Sequence, residues 1–286
     1  MMTFDYLTPT SLSEMAYCPT GRLCYIDKHW PNNGEIKEFT VLGLFEHSVF
    51  EKYYHFTQID WQKDKHLLEN NDKTLDDRIS LVVKESLEIG RTNFPLFLDH
   101  LEKAEESIKF RLAHLNKIKL GQVAKLVKNG MSVDTATAYT LPIEIEKGMS
   151  SSQYGLRGFA DLIYKNPDGS ITVEDIKSHD NRYDAFIHSP GHLAQGIAYT
   201  IMAEEMYGKP CKKFQIFYSM DCHIETHKIT KQLKLNVINS IGKVHNILRG
   251  PLPPRLEGSD KIRCQNCYKK DFCFSLDKTK SKEAKV

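Results

Sequence analysis

The sequence predicts a mixed α/β fold, with a central sheet flanked by helices. Three observations carry this. Helix-periodic stretches fill most of the chain before residue 130, a strand-rich centre runs through residues 138–177, and a helix, a strand pair and another helix follow. That succession suits a layered mixed sheet rather than a bundle or a sandwich.

Each element has a local reason. Residues 10–17 read as a short helix entered at Thr10 or Ser11, both good N-caps. Residues 37–58 space Phe39, Leu42, Phe45, Val49, Tyr53 and Phe56 at helical intervals. Residues 75–128 read as largely helical, with breaks at Pro95 and Gly121. Strands are expected over 138–146, 156–164 and 170–177, with turns at 147–152 and at Asn166-Pro167-Asp168-Gly169. A helix over 192–207, strands over 213–220 and 223–229 turning at Asp221, and a helix over 230–248 complete the core. Pro251, Pro253 and Pro254 then stop helical structure.

A chain of 286 residues is ample for a packed core, and 41% hydrophobic with 27% charged residues is an ordinary globular composition. The formal net charge is only +2, so any nucleic-acid surface must be a local patch. No apolar run approaches the roughly 20 residues of a membrane span. The first residues lack the pattern of a secretory signal, which places the expectation in the cytoplasm. Residues 107–133 contain no acid but carry Lys109, Arg111, Lys117, Lys119, Lys125 and Lys128. They read equally well as a DNA-contacting arm or a solvated helix face. Lys261, Arg263, Lys269 and Lys270 form a second basic group.

The segment richest in chemistry is Gly158-Phe159-Ala160-Asp161 followed by Val173-Glu174-Asp175-Ile176-Lys177. Strand alternation puts Asp175 with Lys177 on one face and Glu174 with Ile176 on the other. A hairpin across Asn166–Gly169 brings Asp161 toward Asp175. Two carboxylates and a lysine make a hard-oxygen site for Mg²⁺ or Mn²⁺. A bare Asp-x-Lys is usually a solvated pair, so the context decides. Gly43-Leu44-Phe45-Glu46-His47 supplies an imidazole on an early helix. Gln195 and Tyr199 lie one helical turn apart, with His192 three residues before Gln195.

Seven cysteines, an odd number in a chain this long, argue against a disulfide framework. Cys264-x-x-Cys267-x5-Cys273 near the C-terminus, with a distant thiol at Cys18 or Cys24, gives four soft ligands for an iron–sulfur cluster, with Zn²⁺ as the runner-up. Cys211 and Cys222, flanking a strand, read as buried thiols.

Taken together, G-x-x-x-H, G-x-x-D, D-x-K and Q-x-x-x-Y in this order resemble the RecB-like branch of the PD-(D/E)xK nucleases, over roughly residues 40–60 and 140–210. The resemblance implies a restriction-endonuclease-like core. It implies that His47, Asp161 and Asp175 bind Mn²⁺ or Mg²⁺, that Lys177 is catalytic, and that Gln195 and Tyr199 support DNA or the active site. Asp175 stands where these enzymes often have Glu.

One N-terminal cysteine before the core and C-x2-C-x5-C after it look like the CRISPR-associated RecB-like nucleases, the Cas-four family. That resemblance implies a [4Fe–4S] cluster on Cys18, Cys264, Cys267 and Cys273. It also implies an exonuclease that trims single-stranded DNA ends as prespacers in CRISPR adaptation, with the CRISPR integrase complex as partner. Two departures stand out. Thr20 follows Cys18-Pro19 where the family often has a basic residue, and residues 60–135 are longer than the family pattern.

The implied organisation is an N-terminal segment, 1–36, joining the cluster region; a nuclease core, 37–249, with a helical insertion at about 60–135; a cysteine region, 250–276; and a disordered tail, 277–286. Two other functions fit the same motifs. One is a stand-alone viral or repair nuclease, although the chain has no helicase P-loop. The other is a DNA-end-binding adaptor with weak cleavage.

Overall fold

Alternating apolar side chains in the middle of the chain build the sheet, and two hydrophobic cores cover its two faces. The computed structural model describes residues 6–29, 38–63, 72–178, 189–258, 261–265, 267 and 269–283. Its five strands are β1 (Glu144–Ser151), β2 (Leu156–Lys165), β3 (Ile171–Lys177), β4 (Cys211–Tyr218) and β5 (His223–Lys228), in that spatial order. Neighbours are antiparallel except β3 and β4, which run parallel. A parallel pair needs a crossover, supplied by the helix Ser189–Tyr207. That helix lies close on the sheet, because a Cβ at Gly196 would sit 2.0 Å from the Phe214 ring.

Before the sheet come α1 (Pro9–Tyr17), α2 (Arg22–His29), α3 (Glu38–Lys63), α4 (Asp72–Asn93), α5 (Leu98–Lys128) and α6 (Val133–Thr140). The crossover helix is α7, followed by α8 (Lys231–Arg249), α9 (Lys261–Gln265) and α10 (Lys270–Glu283). One core joins Leu12 of α1, Met202 of α7 and Ile241 of α8 to Ala160, Val173 and Phe214 of the sheet. The other joins Phe50 of α3, Val83 of α4 and Leu112 of α5 to Leu162, Ile176 and Phe217 on the opposite face. The mixed α/β expectation therefore holds. The helices read as an insertion are one of the two layers that cover the sheet.

Several local expectations are corrected. The first helix is capped by the Thr8 side chain, which accepts from Ser11 N–H, with Pro9 entering the first turn. Gly121 does not break α5, since one exposed helical glycine costs only about 1 kcal/mol. Residues 138–140 end α6, which Ser132 caps by accepting from Thr135 N–H, and the first strand starts only at Glu144. The turn expected at 147–152 lies inside β1 up to Ser151. Residues 277–283, read as a disordered tail, continue α10, and Asp277 pairs with Arg22 and Arg255. Among the described residues no helix is long and apolar enough to cross a membrane.

Candidate functional site

Strand alternation sets up the site. Asp175 and Lys177 share a side of β3, and the Lys177 ammonium lies 2.7 Å from Asp175 Oδ2. Lys177 Nζ also donates to Gln195 Oε1 at 3.1 Å, and Gln195 Nε2 donates to the Tyr199 hydroxyl at 3.5 Å. One turn of α7 thus holds the lysine head from above. Glu174 points away, into the second core, where it accepts from the Tyr164 hydroxyl at 3.0 Å.

β2 parts from β3 beyond Leu162, and the freed backbone of β3 is taken up by side chains. Ile176 N–H donates to Asp161 Oδ2 at 2.6 Å. The neighbouring Ile176 carbonyl lies 2.9 Å from His47 Nε2, so that nitrogen carries the proton and donates. His47 Nδ1 then faces Asp161 Oδ1 at 4.0 Å and Glu146 Oε1 at 3.8 Å. His47, Glu146 and Asp161 place one ligand atom each within 4.8 Å of one another. Gly43 lets α3 come close to the sheet: a Cβ there would lie 3.0 Å from Ser178 Oγ.

The electrostatics are those of crowded buried charge. Burial and the Asp175 charge push Asp161 up to about 7, against the opposing pull of His47. Burial draws His47 down, but the Glu146 contact and the Asp161 and Asp175 charges outweigh it and raise the imidazole to about 9. Burial, with Asp175 nearby, pushes the Tyr199 hydroxyl far up, so it remains protonated. Carboxylates gathered this way, with an imidazole whose outer nitrogen is fixed by a carbonyl, form a donor set that suits a divalent cation.

The structure brings together His47, Asp161, Asp175, Lys177, Gln195 and Tyr199. It also brings in a residue the sequence reading missed. Glu146 completes the trio with His47 and Asp161, whereas Asp175 is engaged by Lys177. Glu146 has a positive φ of 48°, a backbone state uncommon for Glu, which turns β1 at this point.

At the chain ends, Cys18, Cys264, Cys267 and Cys273 line one pocket together with Arg22 and Lys269. Cys24 is turned away. It is buried, donates to the Ser11 carbonyl at 3.0 Å, and its thiol is pushed strongly up by burial. Cys211 and Cys222 are buried thiols raised to about 12 and about 11, chiefly by burial. Arg22 is 4% exposed; it donates from Nε to Cys273 Sγ at 3.1 Å and from its other nitrogens to Pro253 O, Cys273 O and Asp277.

The basic segments are less available than their composition suggests. Arg111 is buried against Glu46 at 2.8 Å, and Lys119 is buried on the Tyr164 hydroxyl at 3.0 Å. Lys109 pairs with Glu105 and Glu106. Near the cysteines, Lys269 pairs with Asp27, and Arg263 donates to the carbonyls of Ala16 and Tyr17.

No family model matches the chain. It is 29% identical over 125 residues to a CRISPR-associated exonuclease Cas4 of Francisella tularensis subsp. novicida, covering 44% of this chain and 59% of the relative. A Cas4 of Thermoproteus tenax is 30% identical over 91 residues, covering 32% of this chain and 47% of the relative. The DNA replication ATP-dependent helicase/nuclease DNA2 of Saccharomyces cerevisiae is 26% identical over 153 residues, 48% of this chain and 10% of the yeast protein. The chain is a distant relative of the Cas4-like and DNA2-like RecB-family exonucleases. It spans about half the length of the Cas4 proteins it matches. In fold it is similar to a crystal structure from Eubacterium rectale provisionally named an exonuclease, with a TM-score of 0.50 at 12% identity over 94% of this chain and 88% of the other.

Proposed function

We propose that this chain is a divalent-cation-dependent exonuclease that shortens single-stranded DNA ends and carries a [4Fe–4S] cluster between its termini. The observation that carries this is the set of His47, Glu146 and Asp161 beside the Asp175–Lys177 pair. His47 Nδ1 and the carboxylates of Glu146, Asp161 and Asp175 would hold Mn²⁺ or Mg²⁺. Such an ion, when bound, polarises a phosphate and makes water nucleophilic at neutral pH.

The chain's own groups do the positioning. The Ile176 carbonyl fixes the imidazole so that Nδ1 faces the carboxylates. Gln195 and Asp175 aim the Lys177 ammonium, which can orient an attacking water and offset charge developing on phosphate oxygens. Tyr199 anchors Gln195. Asp175 therefore works as much through the lysine as through the cation.

Four thiols gathered around one pocket, Cys18, Cys264, Cys267 and Cys273, are the soft ligand set that an iron–sulfur cluster takes. The two Cas4 matches favour prespacer processing beside the CRISPR integrase complex. The DNA2 match favours a replication or repair setting for the same chemistry. A DNA-end adaptor without cleavage fits less well, since every group of the hydrolytic set is present.

The test is an end-labelled single-stranded DNA assay. Wild type should shorten the strand with Mn²⁺, EDTA should stop it, and Lys177→Ala should lower the rate roughly 100-fold or more, the scale of a removed charge-stabilising group. A Lys177→Ala protein cutting at the wild-type rate would overturn the assignment.

A further inference from the structure

A strip of three unlike side chains leads away from the carboxylates along β2. Arg157, Phe159 and Asp161 occupy alternate positions; the β1–β2 pairing runs from Leu156 to Ala160, skips Asp161 where Glu146 turns β1, and resumes at Leu162. Alternation over 156–160 puts Arg157 and Phe159 on the side away from Leu156 and Ala160, and His47 of α3 meets Asp161 next along the strand. Their β1 neighbours on that side are Ser150 opposite Arg157, Gly148 opposite Phe159, and Glu146 at the position facing Asp161.

The middle of the strip is unusual. Phe159 is 59% exposed in a strand whose residues from Ala160 to Tyr164 are all buried. Its ring lies down over Gly148: a Cβ there would meet Phe159 Cε1 at 3.3 Å. A glycine at this spot lets the ring lie against the hairpin. The base of the strip is held still, since Leu7 accepts from Arg157 N–H at 2.9 Å and donates to the Gly155 carbonyl at 2.8 Å. Arg157 itself is exposed.

Burial cannot explain an exposed ring two residues from the site, but a ligand with flat apolar faces can. We infer that Phe159 is a stacking platform for a nucleobase next to the reacting phosphate, and that Arg157 holds a phosphate one step further along. The ligand is single-stranded nucleic acid, because a base can lie on the ring only when its face is free of a neighbouring base. Spacing agrees. Alternate strand residues are about 6.7 Å apart, roughly twice the 3.4 Å rise of a stacked duplex strand, as an extended strand requires. Carboxylates, ring and guanidinium then follow the order of reacting phosphate, base and next phosphate.

This reading rests on the nuclease assignment, and its test separates the two. Binding of a fluorescein-labelled oligothymidylate is measured by anisotropy in EDTA, where no cleavage occurs. Phe159→Ala should weaken binding roughly 5- to 100-fold, the range for losing one aromatic stack, and Phe159→Tyr should restore it. On an oligomer of the same length lacking bases, Phe159→Ala and wild type should bind alike. Arg157→Gln should lower the salt dependence of binding by about 0.7 in log–log slope, the loss of one phosphate contact to a single strand. If Phe159→Ala binds oligothymidylate as wild type does, while Mn²⁺-dependent cutting still requires Lys177, the platform is wrong and the nuclease reading stands. If wild type neither binds nor cuts, both fall.

Discussion

The two candidate centres are built in opposite ways. At the sheet site, Ile176 alone secures two of the functional side chains, donating to Asp161 and accepting from His47, and it does so from within the strand ladder. At the cysteine pocket the elements come from the two ends of the chain and are joined by side chains. Arg22 reaches Cys273, Pro253 and Asp277; Lys269 meets Asp27; and Tyr17 donates to the Arg263 carbonyl at 2.7 Å. The first centre is preorganised by the fold. The second gathers four thiols from distant segments, with Cys264 and Cys267 pushed upward by burial and by neighbouring thiol charge, so a bound cation group would contribute to closing the fold there.

That contrast is most exposed to test at the thiols. Cys264→Ala and Cys18→Ala should lose all bound iron and most hydrogen-exchange protection in α1, α2, α9 and α10, while the sheet keeps its own. Cys24→Ala should keep the iron, because Cys24 faces Ser11. Equal iron in Cys18→Ala and wild type, read by absorbance and metal analysis, would place the fourth ligand elsewhere.

A smaller effect is expected at Arg22. Arg22→Met leaves Asp277 and two carbonyls without their buried donor, a loss of about 2–3 kcal/mol at the cysteine pocket for charge-assisted bonds. Denaturant melting and iron retention should both fall, while Mn²⁺ binding at the sheet site stays unchanged. A parallel drop in Mn²⁺ affinity would show that the two centres are not independent.

The smallest expected effect is a pH dependence at the sheet site. Asp161 is raised to about 7 and His47 to about 9 in the cation-free protein. For Asp161 the raised value means that its protonated form is favoured in the fold, a contribution present below the ordinary carboxylate range and lost as pH rises through about 7. Mn²⁺ must displace that proton and the one on His47 Nδ1. Affinity should therefore rise from pH 6 to pH 8, with proton release seen as a buffer-dependent heat in calorimetry. A flat profile would mean that the cation binds without these two groups.

Much of the site was legible because strand and helix periods are simple. Alternation alone separated Asp175 from Glu174, and the four-residue interval joined Gln195 to Tyr199. Glu146 was hidden for two reasons. The expected strand, 138–146, took in the last turn of the helix Val133–Thr140, which displaced the start of β1 from Glu144. The left-handed turn at Glu146 also has no sequence signal, since Glu does not favour positive φ. The acid-free stretch misled for another reason. Composition records Arg111 and Lys119 as cations, but it cannot show that Glu46 and Tyr164 reach them from distant segments. Cys18 was read as the fourth thiol by resemblance with Cys24 left open, because the sequence does not show that the Cys24 thiol turns to the Ser11 carbonyl.

The central claim is that a divalent cation, held where His47, Glu146 and Asp161 meet, is required for cutting DNA. The most direct test follows Mn²⁺ binding and single-turnover cleavage of a single-stranded oligonucleotide in wild type, Asp161→Asn and Glu146→Gln, with folding checked by circular dichroism. Asp161→Asn should lose both measurable Mn²⁺ binding and cleavage. Glu146→Gln should need at least about tenfold more Mn²⁺ for the same rate, in line with the loss of a supporting group at a metal site. Cleavage by Asp161→Asn at the wild-type rate and Mn²⁺ dependence would contradict the account.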